Sequence, residues 1–123
     1  MRLALLAFLV AACGGSAANL CDNLQLSLTC QYSNGQCVEL TGLSTADQSS
    51  SQAGCHSRGG TQLTGLCPTS GRLGTCNIPP TGANTGVSCS PQAVINIRYF
   101  APFQQADAAT ACHGVVGATW TPN

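Results

Sequence analysis

Cysteine occurs nine times in this chain, at Cys13, Cys21, Cys30, Cys37, Cys55, Cys67, Cys76, Cys89 and Cys112. Nine thiols cannot all pair, so at least one stands outside any set of intrachain disulfides. Removing one leaves an even set, enough for a four-bridge framework. Such a framework would dominate the fold. A domain of about 100 residues buries only about 60–65% of its unfolded surface, which leaves little margin for stability. Each bridge closing a loop of about 15–40 residues adds about 3–4 kcal/mol.

The neighbours of Cys13 identify it as the odd one. Met1-Arg2 supplies one positive charge, and LALLAFLVAA follows, uncharged and mostly large and apolar. A charged start, an apolar run of about 7–15 residues and then small residues is the pattern of an export signal. The run is shorter than the about 20 apolar residues that span a bilayer, and Gly14-Gly15-Ser16 breaks it. Two processing routes fit. Val10-Ala11-Ala12-Cys13 resembles the lipobox of bacterial lipoproteins, in which the Cys is acylated on sulfur, the chain is cut before it, and the new amino group is acylated too. The rival is Ser16-Ala17-Ala18, a small-x-small site at which ordinary signal peptidase would release a soluble chain from Asn19. Either way Cys13 leaves the thiol pool, lipid-capped or discarded. Cys21, Cys30, Cys37, Cys55, Cys67, Cys76, Cys89 and Cys112 remain as disulfide candidates. The chain divides into a signal peptide, 1–12, a lipidated tether, 13–19, and a single disulfide-rich domain, 20–123.

Charge excludes two partner classes. Only 7% of residues are charged, against about 25% in ordinary domains. Lysine is absent, and Arg58, Arg72 and Arg98 are set against Asp22, Glu39, Asp47 and Asp107. No cationic cluster exists to displace counterions from nucleic acid. Nor is there a polybasic surface for membranes; a diacylated Cys13 needs none. Ser, Thr, Gln and Asn provide a neutral polar exterior.

Residues 48–63 and 105–120 repeat each other, QSSSQAGCHSRGGTQL over QADAATACHGVVGATW. A strand-like run precedes each, QCVEL and AVINIRYF. Each unit therefore reads as strand, helix, Gly-rich turn and short strand. Thr45 with Gln48 suits a cap for the first helix and Gly59 its end. Pro102 suits the first turn of the second helix, Gly114 or Gly117 its exit, and its alanines let it lie close to a sheet. Between the copies the chain is rich in Gly and Pro and reads as loops around a hairpin, with Pro79-Pro80 barring a central strand there. LQLSLTCQ alternates like a half-buried strand, although Leu20, Leu24 and Leu28 also allow a helix. Asn34-Gly35 signals a hairpin. A two-residue loop would set Cys30 opposite Glu39 and mix the faces. A three-residue loop, Ser33-Asn34-Gly35 with Gly35 left-handed, pairs Cys30 with Val38 and Leu28 with Leu40 and gives one apolar face. A helix resting on that face brings Cys30 within bonding reach of Cys55. The repeat then pairs Cys76 with Cys112, and leaves Cys21, Cys37, Cys67 and Cys89 to pair among themselves. The fold expected is α+β: two strand–helix–strand repeats, short antiparallel sheet packed on two short helices.

Catalytic patterns are missing. Cys55-His56 and Cys112-His113 lack the second cysteine of a haem attachment site, since Gln52 and Ala109 stand there. Zinc would need thiols that an oxidising compartment turns into disulfides; His56 and His113 read as surface groups at helix ends. No nucleophile elbow, zinc-protease helix or phosphate loop occurs. Asp47 and Asp107 read as two solvated acids at helix starts, though a carboxylate dyad is the alternative. Trp120, Tyr99, Phe100 and Phe103 read as filling a small core beside Cys112 rather than lining a patch. No metal, cofactor or catalytic residue is expected.

With VAAC, eight further cysteines and the repeat in view, the chain resembles small cysteine-rich bacterial lipoproteins of unknown function. The resemblance implies a Gram-negative envelope protein, held to the membrane by lipid on Cys13, and brings no catalytic residues. Gly14 is similar to the outer-membrane-destined class, since Asp at that place is the usual inner-membrane mark. The expectation is a non-enzymatic structural, binding or interaction module with a protein or glycan partner of unknown identity. The alternative is a small secreted effector, inhibitor or hydrolase released after Ala18.

Overall fold

The computed structural model describes residues 25–80 and 93–123. The alternating run LSLTCQ is strand β1 (Leu26–Gln31), and QCVELTGL is β2 (Gln36–Leu43). The bulged register holds: Cys30 faces Val38 and Leu28 faces Leu40. Gly35 takes the left-handed conformation at φ 91°. Its N–H and carbonyl serve the turn and the next strand, donating to Tyr32 O at 3.4 Å and accepting from Phe100 N at 2.8 Å. A Cβ there would lie 2.7 Å from Ala101 O, so the turn demands glycine twice over. Asn34 closes the loop by accepting from Gln36 N at 3.0 Å.

The remaining elements are α1 (Thr45–Ser57), β3 (Thr61–Leu63), β4 (Arg72–Ile78), β5 (Val94–Phe100), α2 (Gln105–His113) and β6 (Thr119–Pro122). The strands form one antiparallel sheet in the order β3-β1-β2-β5-β4-β6. That order is a mirror about β2–β5, so the repeat is a duplication. Each half is two long strands, a helix and a short edge strand. α1 packs on β1, β3 and β2, and α2 on β4 and β6. The strand–helix–strand units are present, and both helices lie on one face of the sheet.

Four local readings need correction. The cap of α1 is Ser44, not Thr45: Ser44 Oγ accepts from Asp47 N at 3.2 Å and donates to the Asp47 carboxylate at 2.8 Å. An acid three residues on makes Ser44 the better cap, and Gln48 instead donates to Ser27 O. Gly59 does follow the helix, donating to His56 O at 3.0 Å. Pro102 is not in the first turn of α2; it follows a cis peptide in the preceding turn, and Gln104 caps without a side-chain bond. The Gly- and Pro-rich stretch between the copies hides a seven-residue strand, RLGTCNI, which lies inside the sheet between β5 and β6. Its partners are remote in sequence, so no local hairpin signal marks it, and Pro79-Pro80 come after it ends. Finally, the strand pairings match Trp120 to Gln62, one residue away from the match to Leu63 that the repeat suggests.

Two small cores sit under the helices. Leu28, Leu43 and Ala93 form one, with Leu26 and Leu40 against it. Cys76, Ile78, Tyr99, Ala108 and Cys112 form the other. Of the alanines in α2, Ala108 is the one fully buried, and it brings the helix down onto the sheet. Gly74 completes this half, because the Trp120 ring occupies the space its side chain would take.

Candidate functional site

The disulfides fix where side chains can meet. Cys30 bonds Cys55 and Cys76 bonds Cys112, with Cα separations of 5.9 and 5.5 Å. These are the two bridges drawn from the repeat, each tying a helix to the strand beneath it. Cys37 bonds Cys67 on the opposite face of the sheet. Cys13, Cys21 and Cys89 lie outside the described residues, as do Leu20 and Leu24 of the alternative helix.

On that opposite face the sheet buries an ion pair that sequence inspection passes over. Glu39 is 5% exposed. One of its oxygens accepts from Cys67 N at 2.9 Å, and the other from Arg98 Nη2 at 2.8 Å and Nε at 3.3 Å. Arg98 Nη1 donates to Thr75 Oγ1 at 2.6 Å. Glu39 and Arg98 thus pin the segment after β3 to the sheet, beside the Cys37–Cys67 bridge. Their hydrogen bonds run inward, to neighbouring strands and to that segment. The geometry is that of a structural clamp.

On the helix face a groove of about 460 Å3 runs between α1 and the middle of the sheet. Half-buried Val38, Leu40 and Ile97 floor it, Ser50, Ser51 and Gly54 form the α1 wall, and Tyr32, Gln36 and Arg58 stand at the hairpin end. Alternation along β2 places Gln36, Val38 and Leu40 in one line, and α1 is held above them by the Cys30–Cys55 bridge.

The residues singled out for chemistry do not converge. His56 and His113 are exposed in the last turns of helices that pack on opposite halves of the sheet. Asp107 is exposed, but Asp47 is not the solvated acid expected: it is 4% exposed and held by the Ser44 cap. Tyr99 stacks edge-on against Phe103 at 5.0 Å and Trp120 at 5.8 Å, which makes these aromatics core. Phe100, one residue on, faces the other side of the sheet. Among the described residues no three His, Cys, Asp or Glu side chains gather to hold a metal ion.

Among the described residues no helix is long and apolar enough to cross a membrane. Three closed disulfides belong to the chemistry of an oxidising compartment, extracellular or envelope. No protein-family model matches the chain, and neither the curated proteins nor the solved structures contain a significant match to it.

Proposed function

We propose that this chain is a lipid-anchored envelope protein whose domain binds rather than catalyses. The cysteine arithmetic carries the reading. Six cysteines are spent in three bridges, Cys21 and Cys89 form an even remainder, and Cys13 alone is left over at the end of LVAAC. The acyl chains on Cys13 would supply membrane affinity to a domain without basic clusters, and Gly14 directs the anchor to the outer membrane. The absence of turnover is inferred from the inward hydrogen bonding of Glu39 and Arg98 and the separation of His56 from His113.

Detergent phase partitioning tests this directly. The wild-type protein should enter the detergent phase, and Cys13→Ser should move it to the aqueous phase. Retention of Cys13→Ser in detergent would show that lipid on Cys13 is not the anchor, and a native chain that begins at Asn19 would favour a secreted effector.

A further inference from the structure

The duplication provides an internal comparison. Cys30 lies opposite Val38 and Cys76 opposite Ile97, so Val38 and Ile97 are corresponding residues, and they face each other across β2 and β5. A pseudo-two-fold axis passes through that pair, and the other positions can be matched outward from it. Under α2 the matched positions are filled. Tyr99 and Ala108 are buried with Ile78, and Ile95 and Val115 pack against them. Under α1 the corresponding residues are Leu40 for Tyr99, Ser51 for Ala108, Tyr32 for Ile78, Gln36 for Ile95 and Arg58 for Val115. These five line the groove. Gln62, which matches Trp120, turns away to Gln52 of α1 at 2.7 Å. One half has closed its space with aromatics, and the other has kept it open.

The groove under α1 is open to solvent rather than packed shut. Its volume, about 460 Å3, falls within the about 300–1,000 Å3 of small-molecule sites. The lining sets the ligand class. The floor is aliphatic, and Arg58 is the groove's charged residue, placed at one end with the Tyr32 hydroxyl and the Gln36 amide. Among the described residues the one ion pair is Arg98–Glu39, and none of their carboxylates pairs with the Arg58 guanidinium.

We propose that the groove binds a small anionic amphiphile. Its apolar body would lie on Val38, Leu40 and Ile97, and its carboxylate would meet Arg58, with Tyr32 and Gln36 able to donate to it. Guanidinium and carboxylate form short, paired, charge-assisted hydrogen bonds. The proposal rests on the reading of the domain as a binding module and is independent of the anchor.

The test uses the full, disulfide-bonded chain carrying Cys13→Ser, so that no acyl chain competes. Octanoate, below its micellar range, and uncharged 1-octanol are titrated while backbone and methyl NMR shifts are followed. Octanoate should shift Val38, Leu40, Ile97 and Arg58, leave Trp120 in place, and bind about ten-fold more tightly than octanol, as a charge-assisted hydrogen bond provides. Arg58→Gln should erase that preference. Leu40→Tyr, which installs the residue of the closed half, should abolish binding of both probes; Ser51→Leu is the second blocking variant if Leu40→Tyr does not fold. Several results overturn the proposal. They are no groove shifts at millimolar octanoate in the folded chain, equal affinity for octanol, binding that survives a folded blocking variant, or a dimer that covers Val38, Leu40 and Ile97. Partitioning of the wild-type protein reports on Cys13 separately, so failure of the groove and failure of the anchor are distinguishable.

Discussion

Replacing Cys76 and Cys112 together with alanine should lower the unfolding free energy by about 4 kcal/mol, from the chain entropy of a loop this long. Their separation of 36 residues is the longest among the described bridges. Both cysteines are fully buried at the centre of the cluster with Ile78, Tyr99 and Ala108, so truncation also opens a void. In a domain with about 5–15 kcal/mol in total, that loss is a large share. Denaturant unfolding of the double variant against wild type measures it. A loss below about 1 kcal/mol would mean that the small core holds α2 without its staple.

The second large effect belongs to Glu39. Glu39→Ala leaves Arg98 Nε and Nη2 and the Cys67 N–H without their acceptor, with Nη1 still bonded to Thr75. Breaking a buried pair from one side costs about 3–5 kcal/mol. The Arg98 side chain is 21% exposed, so water recovers part of this, and we expect about 3 kcal/mol. Removing both charges with Glu39→Leu and Arg98→Met should cost less than Glu39→Ala alone, since no charge is then stranded. Equilibrium unfolding of the single and double variants decides the point. A double variant as unstable as the sum of the single changes would show that the two side chains act independently.

The same pair shows what could be read from the sequence and what could not. Alternation and the Asn34-Gly35 turn were enough to set the β1–β2 register, because one residue of slip would have split the apolar face. That register placed Cys30 beneath a helix, and the repeat carried the pairing over to Cys76 and Cys112. Glu39 and Arg98 occupy corresponding positions one residue past Val38 and Ile97, but extending the helix repeat upstream without a gap sets Glu39 against Asn96, so the repeat alone does not match them. It could not have shown that β2 and β5 are neighbours, because strand order is set by long-range packing. β4 was obscured because Gly71, Gly74 and the Pro79-Pro80 pair look like loop residues. Gly74 is in fact a contact surface for Trp120. Asp47 reads as a solvated acid only with Thr45 as the cap; with Ser44 in that place it becomes the buried partner of the capping hydroxyl. The groove left no local mark, since it exists only as a difference in size between residues matched through the sheet.

A lipid anchor requires Cys13 to stand outside the disulfides. Intact mass spectrometry of the protein from its native envelope, without reduction, tests that claim most directly. The expected species is a chain beginning at Cys13, heavier by its acyl groups and lighter by the hydrogens of eight oxidised thiols. An unacylated chain beginning at Asn19, or one that keeps Cys13 within a disulfide, would contradict it.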